Sequence, residues 1–479
     1  MRAVLRCDAT SGGGVGHLGR VLAVAEAATE AGWDLVLCGE FSAPVARRML
    51  EASGLDLLTV PAPGPEEDLA ALAHELGADV LHADHYGLGP QLREGLAERS
   101  IRLCSIEDDA FGRRPADVAI EPTPAAFATP RPDDGTFRVF GGADWVPLRR
   151  DILDAIARPA EQTGLVVVMI GGTDPFGLTP WCLDVLAAAG HRGPTRVVTG
   201  DPIVARKARD AGAEPVSPSP RVVRELPTAN FVVAAAGTSL WEIVAMDVPC
   251  ATVAVTENQD TNYDYAVGSG AATGLGRRHR GLDREAAADA LREAIADPVR
   301  PSTRLRIDGQ GSRRIVDAWG IAAGQRTGVQ ARGAVGGDVS LVYDWRNAPE
   351  VRGVSRTGAE IPWEHHRRWF DGVLADPRRE LVIVELDGAP AAVVRFDFEP
   401  DMEEAEVSVV VGPRFRGRGL AATLLSSAIG LVRGERDRPR LVAEIRRGNE
   451  ASRSLFSRVG FVLDERPAST EGFERWVAG

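Results

Sequence analysis

The feature that most constrains this chain is a repeated alternation of short apolar runs with longer amphipathic stretches. AVLRCD (residues 3–8) reads as a strand. Residues 18–31 read as a helix with an apolar stripe at Val21, Val24, Ala25 and Ala28, and Asp34–Cys38 and residues 79–83 as further strands. Strands separated by helix-length segments do not close hairpins. They pair in parallel, and helices cover both faces of the sheet.

The proline-rich stretch 117–132 breaks this rhythm, and a second set then begins. LVVVMIGG (residues 165–172) is a continuous apolar run, the pattern of a strand buried on both faces. RVVTG, FVVAAAG and CATVAV follow, with helical segments between them. Two consecutive Rossmann-like halves with a cleft between them make a GT-B fold, with residues 1–147 as the first domain and 148–321 as the second. Ligands of such sheets bind at the carboxyl ends of the strands. Residues 322–337, AAGQRTGVQARGAVGG, have no periodicity and read as a linker. The remainder, 338–479, has the size of a small α+β domain.

At 479 residues the chain exceeds one hydrophobic core. A net charge of −13 argues against general affinity for nucleic acid or anionic membrane surfaces, yet leaves room for a nucleotide, which needs only a few local donors. The five cysteines are scattered without metal-type spacing and read as buried free thiols. No stretch approaches the roughly 18 consecutive apolar residues of a membrane span, and the N-terminus has no apolar leader. A cytoplasmic protein with no membrane association is the expectation.

Chemistry concentrates at the predicted strand ends. Gly14, Gly16 and His17 follow the first strand, where glycines allow close approach of a ligand and open amides favour an anion. An imidazole there can take a proton near neutral pH. Asp84-His85-Tyr86-Gly87 lies past another strand, and reads equally as a turn capped by Asp84. Glu107-Asp108-Asp109 reads either as a site loop or as a solvated acidic one. In the second half, Gly172 and Thr173 end the buried run. Gly237-Thr238-Ser239 leads into a helix, where Ser239 and Glu242 form a capping-box pattern or, alternatively, present hydroxyls and amides to a diphosphate.

Taken in order, GxGHxxR at residues 14–20, DHYG at 84–87, GGTDP at 171–175, AAGTSLWE at 235–242, ENQ at Glu257–Gln259 and DGQGSRRIV at 308–316 resemble the UDP-2,4-diacetamido-2,4,6-trideoxy-β-L-altropyranose hydrolases of pseudaminic acid synthesis. The likeness extends more distantly to GT-B glycosyltransferases that add N-acetylglucosamine to the lipid-linked peptidoglycan precursor. The resemblance covers about residues 1–320 and implies that the second domain binds UDP. It implies His17 as the water-activating base, Tyr86 and Asn258 lining the sugar, and Glu242 on the ribose. Gly14, Gly16, Asp84, Gly172, Thr173, Gly237, Thr238, Ser239 and Gln259 would contact substrate. Water would then attack the anomeric carbon with inversion, and helix-end amides rather than a metal would stabilise the departing UDP. Two positions depart from the family pattern: Leu88-Gly89 after DHYG, and Glu107 in the acidic segment. Both are expected at the rim of the sugar pocket.

In the third domain, residues 406–411 read as a strand leading into Arg414-x-x-Gly417-x-Gly419, which matches the R/Q-x-x-G-x-G/A signature of GNAT acetyltransferases. Successive amides at a helix start bind the pyrophosphate of coenzyme A. Val409, Val411, Arg414, Arg416, Gly417, Arg418, Gly419, Leu420 and Ala421 are the expected cofactor contacts, and Asn449 is expected to contact the cofactor or the helix start rather than to transfer a proton. Residues 445–461 supply the second GNAT block, and the resemblance spans the domain. It implies acetyl-CoA as co-substrate and direct attack by an amine. Glu406 is the candidate base, with a solvated strand carboxylate as the alternative reading. Phe456 stands where many of these enzymes have a tyrosine acid, so that role is vacant or falls to a group such as Ser408.

Together these readings give a bifunctional amino-sugar enzyme that N-acetylates a UDP-4-amino-sugar and releases UDP from the product, without metal, nucleic acid or membrane. The alternatives are a GT-B glycosyltransferase with an appended acetyltransferase, and a non-catalytic sugar-nucleotide sensor.

Overall fold

The computed structural model describes the chain except residues 11–14, 56, 63, 65, 159–160, 172–173, 175, 322–327, 436–438 and 479. It divides into two compact units, one of Met1–Ala128 with Phe140–Ile321 and one of Thr129–Val139 with Ala322–Gly479.

Two sheets fall within residues 2–277. Strands β1 (Arg2–Arg6), β2 (Asp34–Cys38), β3 (Leu58–Val60), β4 (Val80–Ala83), β5 (Arg102–Ile106), β6 (Val118–Glu121) and β7 (Arg138–Gly141) run in the order β3-β2-β1-β4-β5-β6-β7. The pairs from β3 to β6 are all parallel. Strands β8 (Val166–Met169), β9 (Thr195–Val198), β10 (Glu214–Val216), β11 (Phe231–Ala235), β12 (Cys250–Ala254) and β13 (Thr273–Arg277) form a parallel sheet ordered β10-β9-β8-β11-β12-β13. In both sheets the order reverses beside the first strand, which opens a crevice at the carboxyl edge. The long apolar run lies at β8, where Val166, Val167 and Val168 are buried. All five cysteines are buried and unpaired, and burial pushes the Cys38 thiol up to about 11 and that of Cys250 up to about 12.

One boundary differs from the sequence reading. The helix Gly311–Ala318, assigned above to the second domain, ends in Trp319, and Ile315, Val316 and Trp319 pack into the core around β1. The Trp319 indole meets Trp33 edge-on at 5.1 Å and donates through Nε1 to His82 Nδ1 at 3.3 Å. Burial lowers the His82 pKa to about 4, so the imidazole is a neutral acceptor. A large apolar ring with one N–H needs a site offering both an apolar wall and an acceptor, and Trp33 and His82 supply them here. Gly311 permits the return, since a Cβ there would sit 2.1 Å from the Val146 carbonyl oxygen.

The second unit holds β14 (Val329–Gly333), β15 (Arg379–Leu386), β16 (Ala389–Phe398), β17 (Glu404–Val411), β18 (Arg440–Arg446), β19 (Val462–Leu463) and β20 (Phe473–Ala478), ordered β14-β15-β16-β17-β18-β20-β19. The stretch read as a linker therefore contains a strand. β14 pairs antiparallel with β15, and Arg332 is held by the buried Glu385 at 2.7 Å and by Asp338 at 2.7 Å. Residues 129–139 also leave the first domain assigned to them, because Arg138 pairs with the same Glu385 and the Arg131 amide donates to Ser340 Oγ at 2.9 Å. A buried carboxylate requires such partners, and periodicity within one segment does not reveal them.

Trp319→Ala is expected to destabilise the chain by about 3–5 kcal/mol, and Trp319→Phe by about 1 kcal/mol through the lost hydrogen bond, both read from urea unfolding.

Candidate functional site

In a parallel sheet every strand delivers its following residue to one edge. His17 enters at the start of the helix Gly16–Glu30 after β1, Asp84 and Tyr86 follow β4, and Asp108 follows β5. His17 Nδ1 lies 2.6 Å from Asp84 Oδ1. Arg20 Nη2 lies 3.0 Å from the same nitrogen, but the carboxylate is the nearer partner, and an unprotonated nitrogen would repel its oxygen at 2.6 Å; Nδ1 therefore donates to Asp84, and in the neutral ring Nε2 carries the free lone pair.

Asp84 is fully buried. Burial alone would raise its pKa, but the Arg20 guanidinium and His17 outweigh it and hold the carboxyl well below its usual range. Arg20 donates from Nε and Nη2 to the two Asp84 oxygens at 2.9 and 2.7 Å, and from Nη1 to Asp108 Oδ1 at 2.6 Å. Tyr86 donates its hydroxyl to Asp108 Oδ2 and meets the His17 ring edge-on at 4.6 Å. Burial, with the Asp108 charge beside it, pushes the Tyr86 phenol far above its usual range. Asn258, in the turn Glu257–Gln259 after β12, donates to the Tyr86 oxygen at 3.2 Å, so the two sheets share one cluster.

The helix Thr238–Ala245 starts opposite. The capping-box pattern is not realised: Gly237 is the N-cap, no side chain caps it, and Ser239 lies inside the helix with its hydroxyl on Glu242. Thr238 Oγ1 stands 3.4 Å from where a Cβ on Gly16 would be, so this helix start faces that of Gly16–Glu30, which also has no side-chain cap. Two sets of open amides near one point suit an anion. Glu242 is pushed up by burial, with Arg149 Nη2 at 3.5 Å opposing the shift. Gln259 accepts through Oε1 from the Val255 amide at 2.9 Å, which leaves its amide group beside Gly237. Gly14, Gly172 and Thr173 lie outside the described residues.

The expectation that Glu107 borders the pocket is corrected. Its amide continues the ladder to Ile120 at 2.9 Å and its side chain is fully buried, while its neighbour Asp108 turns into the cluster. Leu88 offers its carbonyl to Arg114 Nε at 3.1 Å. Arg149 was not among the expected site residues, Arg20 stood in the GxGHxxR motif without an assigned role, and Asp108 was left between a site loop and a solvated one. Arg20 had a signal: it lies three positions after His17 on a helix, so both occupy one face.

In the second unit, β17 pairs with β16 as far as Val411, but with β18 only over Glu404, Ala405 and Glu406. The two strands splay beyond Glu406, leaving one side of the stretch holding Val409 and Val411 without a strand partner. Arg416 turns back and donates to the Val411 carbonyl at 2.8 Å. Gly417 and Gly419 have φ of +71° and +73°, which favours glycine and lets the loop wrap the start of the helix Ala421–Glu435 behind Leu420. Arg414 and Arg418 are exposed there. Asn449 accepts from the Ser452 amide at 3.2 Å, so its carbonyl caps the helix start, one of the two places expected for it. Glu406 is held by Arg356 at 2.7 Å, and Arg356 also reaches Glu444 at 3.0 Å. Phe456 is buried edge-on against Phe461 at 5.0 Å, while Ser408 is exposed.

Among the described residues no group of three or more His, Cys, Asp or Glu side chains is placed to hold a metal ion, and no helix is long and apolar enough to cross a membrane.

Residues 332–462 match the family described as acetyltransferase (GNAT) domain, so the chain carries a GNAT domain toward its C-terminus. Its match begins within β14, inside the stretch first read as a linker. Among solved structures, an aminoglycoside acetyltransferase AAC(6')-Ib with coenzyme A is 17% identical, over 31% of this chain and 94% of its own, at a TM-score of 0.29. A spermidine N-acetyltransferase from Vibrio cholerae with CoA and spermine is 15% identical, over 31% of this chain and 94% of its own, also at 0.29. No curated protein matches.

Asp84 has a depressed pKa, so its contribution to stability is complete above its ordinary value of 3.8 and is lost as pH falls below it. Asp84→Asn is expected to cost about 3–5 kcal/mol at pH 7, because it strips one partner from a buried guanidinium. It should also flatten the acid limb of a plot of unfolding free energy against pH.

Proposed function

We propose that the chain is a bifunctional amino-sugar enzyme. Its GNAT domain transfers acetyl from acetyl-CoA to the amine of a UDP-4-amino-sugar. Its two-sheet unit, read as a GT-B hydrolase, releases UDP from the acetylated sugar. The observation that carries the second activity is the 2.6 Å contact of His17 Nδ1 with Asp84, which leaves Nε2 as a base at the carboxyl edge.

Water held by Nε2 attacks the anomeric carbon as its proton passes to the imidazole. Asp84 stabilises the resulting imidazolium, and the low pKa of Asp84 keeps it anionic for that task. The C1–O bond breaks, and the diphosphate leaves toward the open helix starts at Gly16 and Thr238. Tyr86 and Asn258 border the sugar. One water and one displacement give inversion at C1, without a carboxylate nucleophile.

For acetyl transfer, the amides at the Gly417–Ala421 turn would hold the pyrophosphate of coenzyme A, and the splay beyond Glu406 would take the thioester arm. The neutral amine attacks the thioester carbon, and coenzyme A leaves as the thiol. Glu406 takes the amine's proton, directly or through water. Phe456 has no proton to give, so the leaving thiolate is protonated by another group, and the exposed Ser408 is the nearest proposal.

His17→Ala is expected to lower the rate of UDP release by about 10²–10⁴ while leaving acetyl transfer unchanged, measured by UDP detection and by titration of free coenzyme A thiol. A variant with full UDP release would sink the assignment of the base. Conversely, Gly419→Val places a branched residue in the left-handed region at a cost of about 1–2 kcal/mol. It should raise the KM for acetyl-CoA about tenfold and leave UDP release untouched.

A further inference from the structure

The acetyltransferase unit carries a cation of its own beside the group proposed to take the acceptor's proton. Glu406 pairs with Val442 in the register of β17 and β18, and Glu444 lies two residues further along β18. Alternation puts both carboxylates on one face, at the point where the strands separate. Arg356, in the turn after the helix Pro349–Val354, reaches both: its Nη2 donates to Glu406 Oε1 at 2.7 Å and to Glu444 Oε2 at 3.0 Å. Arg446 anchors the end of that helix by donating to the Gly353 carbonyl at 2.7 Å. Burial alone would lower the Arg356 pKa, but the two carboxylates outweigh it and raise it. Burial would likewise raise Glu444, but the Ser469 amide and Arg356 hold it below its usual range.

The neighbouring carboxylates Glu404 and Asp464 hold Arg466 and Arg475 between them at 2.7 to 3.1 Å, with Arg440 at 3.6 and 3.7 Å. Three cations thus serve those two carboxylates, while Glu406 and Glu444 have only Arg356 among the described residues. Two carboxylates without a cation would attract ammonium groups and favour their protonated form. The amine that attacks a thioester is the neutral one, and a guanidinium alongside favours it. An acceptor with several ammonium groups would meet Arg356 as a like charge, and would have to displace it from both carboxylates.

We infer that Arg356 determines acceptor specificity in the acetyltransferase unit: as a built-in cation on Glu406 and Glu444, it excludes polycationic amines and admits an acceptor with one amine, attacked in its neutral form. This deepens the acetyl-transfer reading proposed above and rests on it in one respect, that the acceptor reaches Glu406. Arg356 acts there through the charge it places beside the amine, and takes no proton itself.

The test titrates the linear tetra-amine norspermine into the full chain without coenzyme, whose phosphates would bind it, and reads binding by calorimetry. The parent should show only the weak background expected of a chain with a net charge of −13. Arg356→Gln should tighten binding about tenfold, a gain that fades with added salt. Arg356→Lys should bind like the parent, and Arg356→Gln combined with Glu444→Gln should return toward it. A Gln variant no tighter than the parent, or a Lys variant as tight as the Gln one, overturns the assignment. Misfolding cannot mimic the expected result, because that result is a gain. With acetyl-CoA supplied, the parent chain should leave norspermine unmodified, and its acetylation overturns the assignment whether or not the variants fold. Failure to acetylate a UDP-4-amino-sugar instead defeats the acceptor proposed above and leaves the binding comparison standing.

Discussion

The first site depends on one buried guanidinium. Arg20 has 7% of its surface exposed and spans Asp84 and Asp108, which arrive from two different strands. Two carboxylates brought this close would repel each other and force one to take up a proton. Arg20 between them offsets that repulsion, and burial, which alone would weaken the cation, is outweighed by Asp108 and Asp84. Everything nearer the crevice follows from that pairing. Asp84 can orient His17, Asp108 can take the Tyr86 hydroxyl, and Tyr86 in turn receives Asn258 from the second sheet. The cluster is a relay of position more than of charge.

The second unit is organised by a break in pairing. β17 and β18 separate after Glu406, and the freed side of β17 leads into a loop whose two left-handed glycines precede a long helix. A strand released from its neighbour and a helix start are both sources of unsatisfied backbone groups. In the reading proposed above, acetyl-CoA would meet these backbone groups together with the exposed Arg414 and Arg418. The Arg356 contact with Glu406 and Glu444 adds a feature that the strand pattern did not foreshadow.

Legibility in the sequence followed the range of the interaction. Asp34–Cys38 was read at its full extent, the strand after residue 79 within one residue and the one after 165 within three, because period and flanking glycines are local. The GNAT loop was legible because Arg414, Gly417 and Gly419 sit on one continuous turn. The capping-box pattern at Ser239 misled for the same reason: the spacing was right, but Gly237, two residues earlier, took the cap. The strand β14 was missed because its apolar signal is only Val329 and Ala331, and it is held in the sheet by Arg332 on a carboxylate 53 residues away.

By itself, then, the sequence determined the kinds of element, their order, the parallel pairing of the first two sheets, and which residue types stand at strand ends. Those follow from backbone sterics and from which face must be dry. Only the tertiary structure decided who meets whom: His17 with Asp84 across 67 positions, Tyr86 with Asn258 across 172, and Trp319 with His82 across 237. It alone brought Thr123 and Trp241 together on the Oδ1 of Asn262. Periodicity specifies a face for each segment. The identity of the group across that face depends on how buried charges and polar groups, costly when alone, find partners as the whole chain packs.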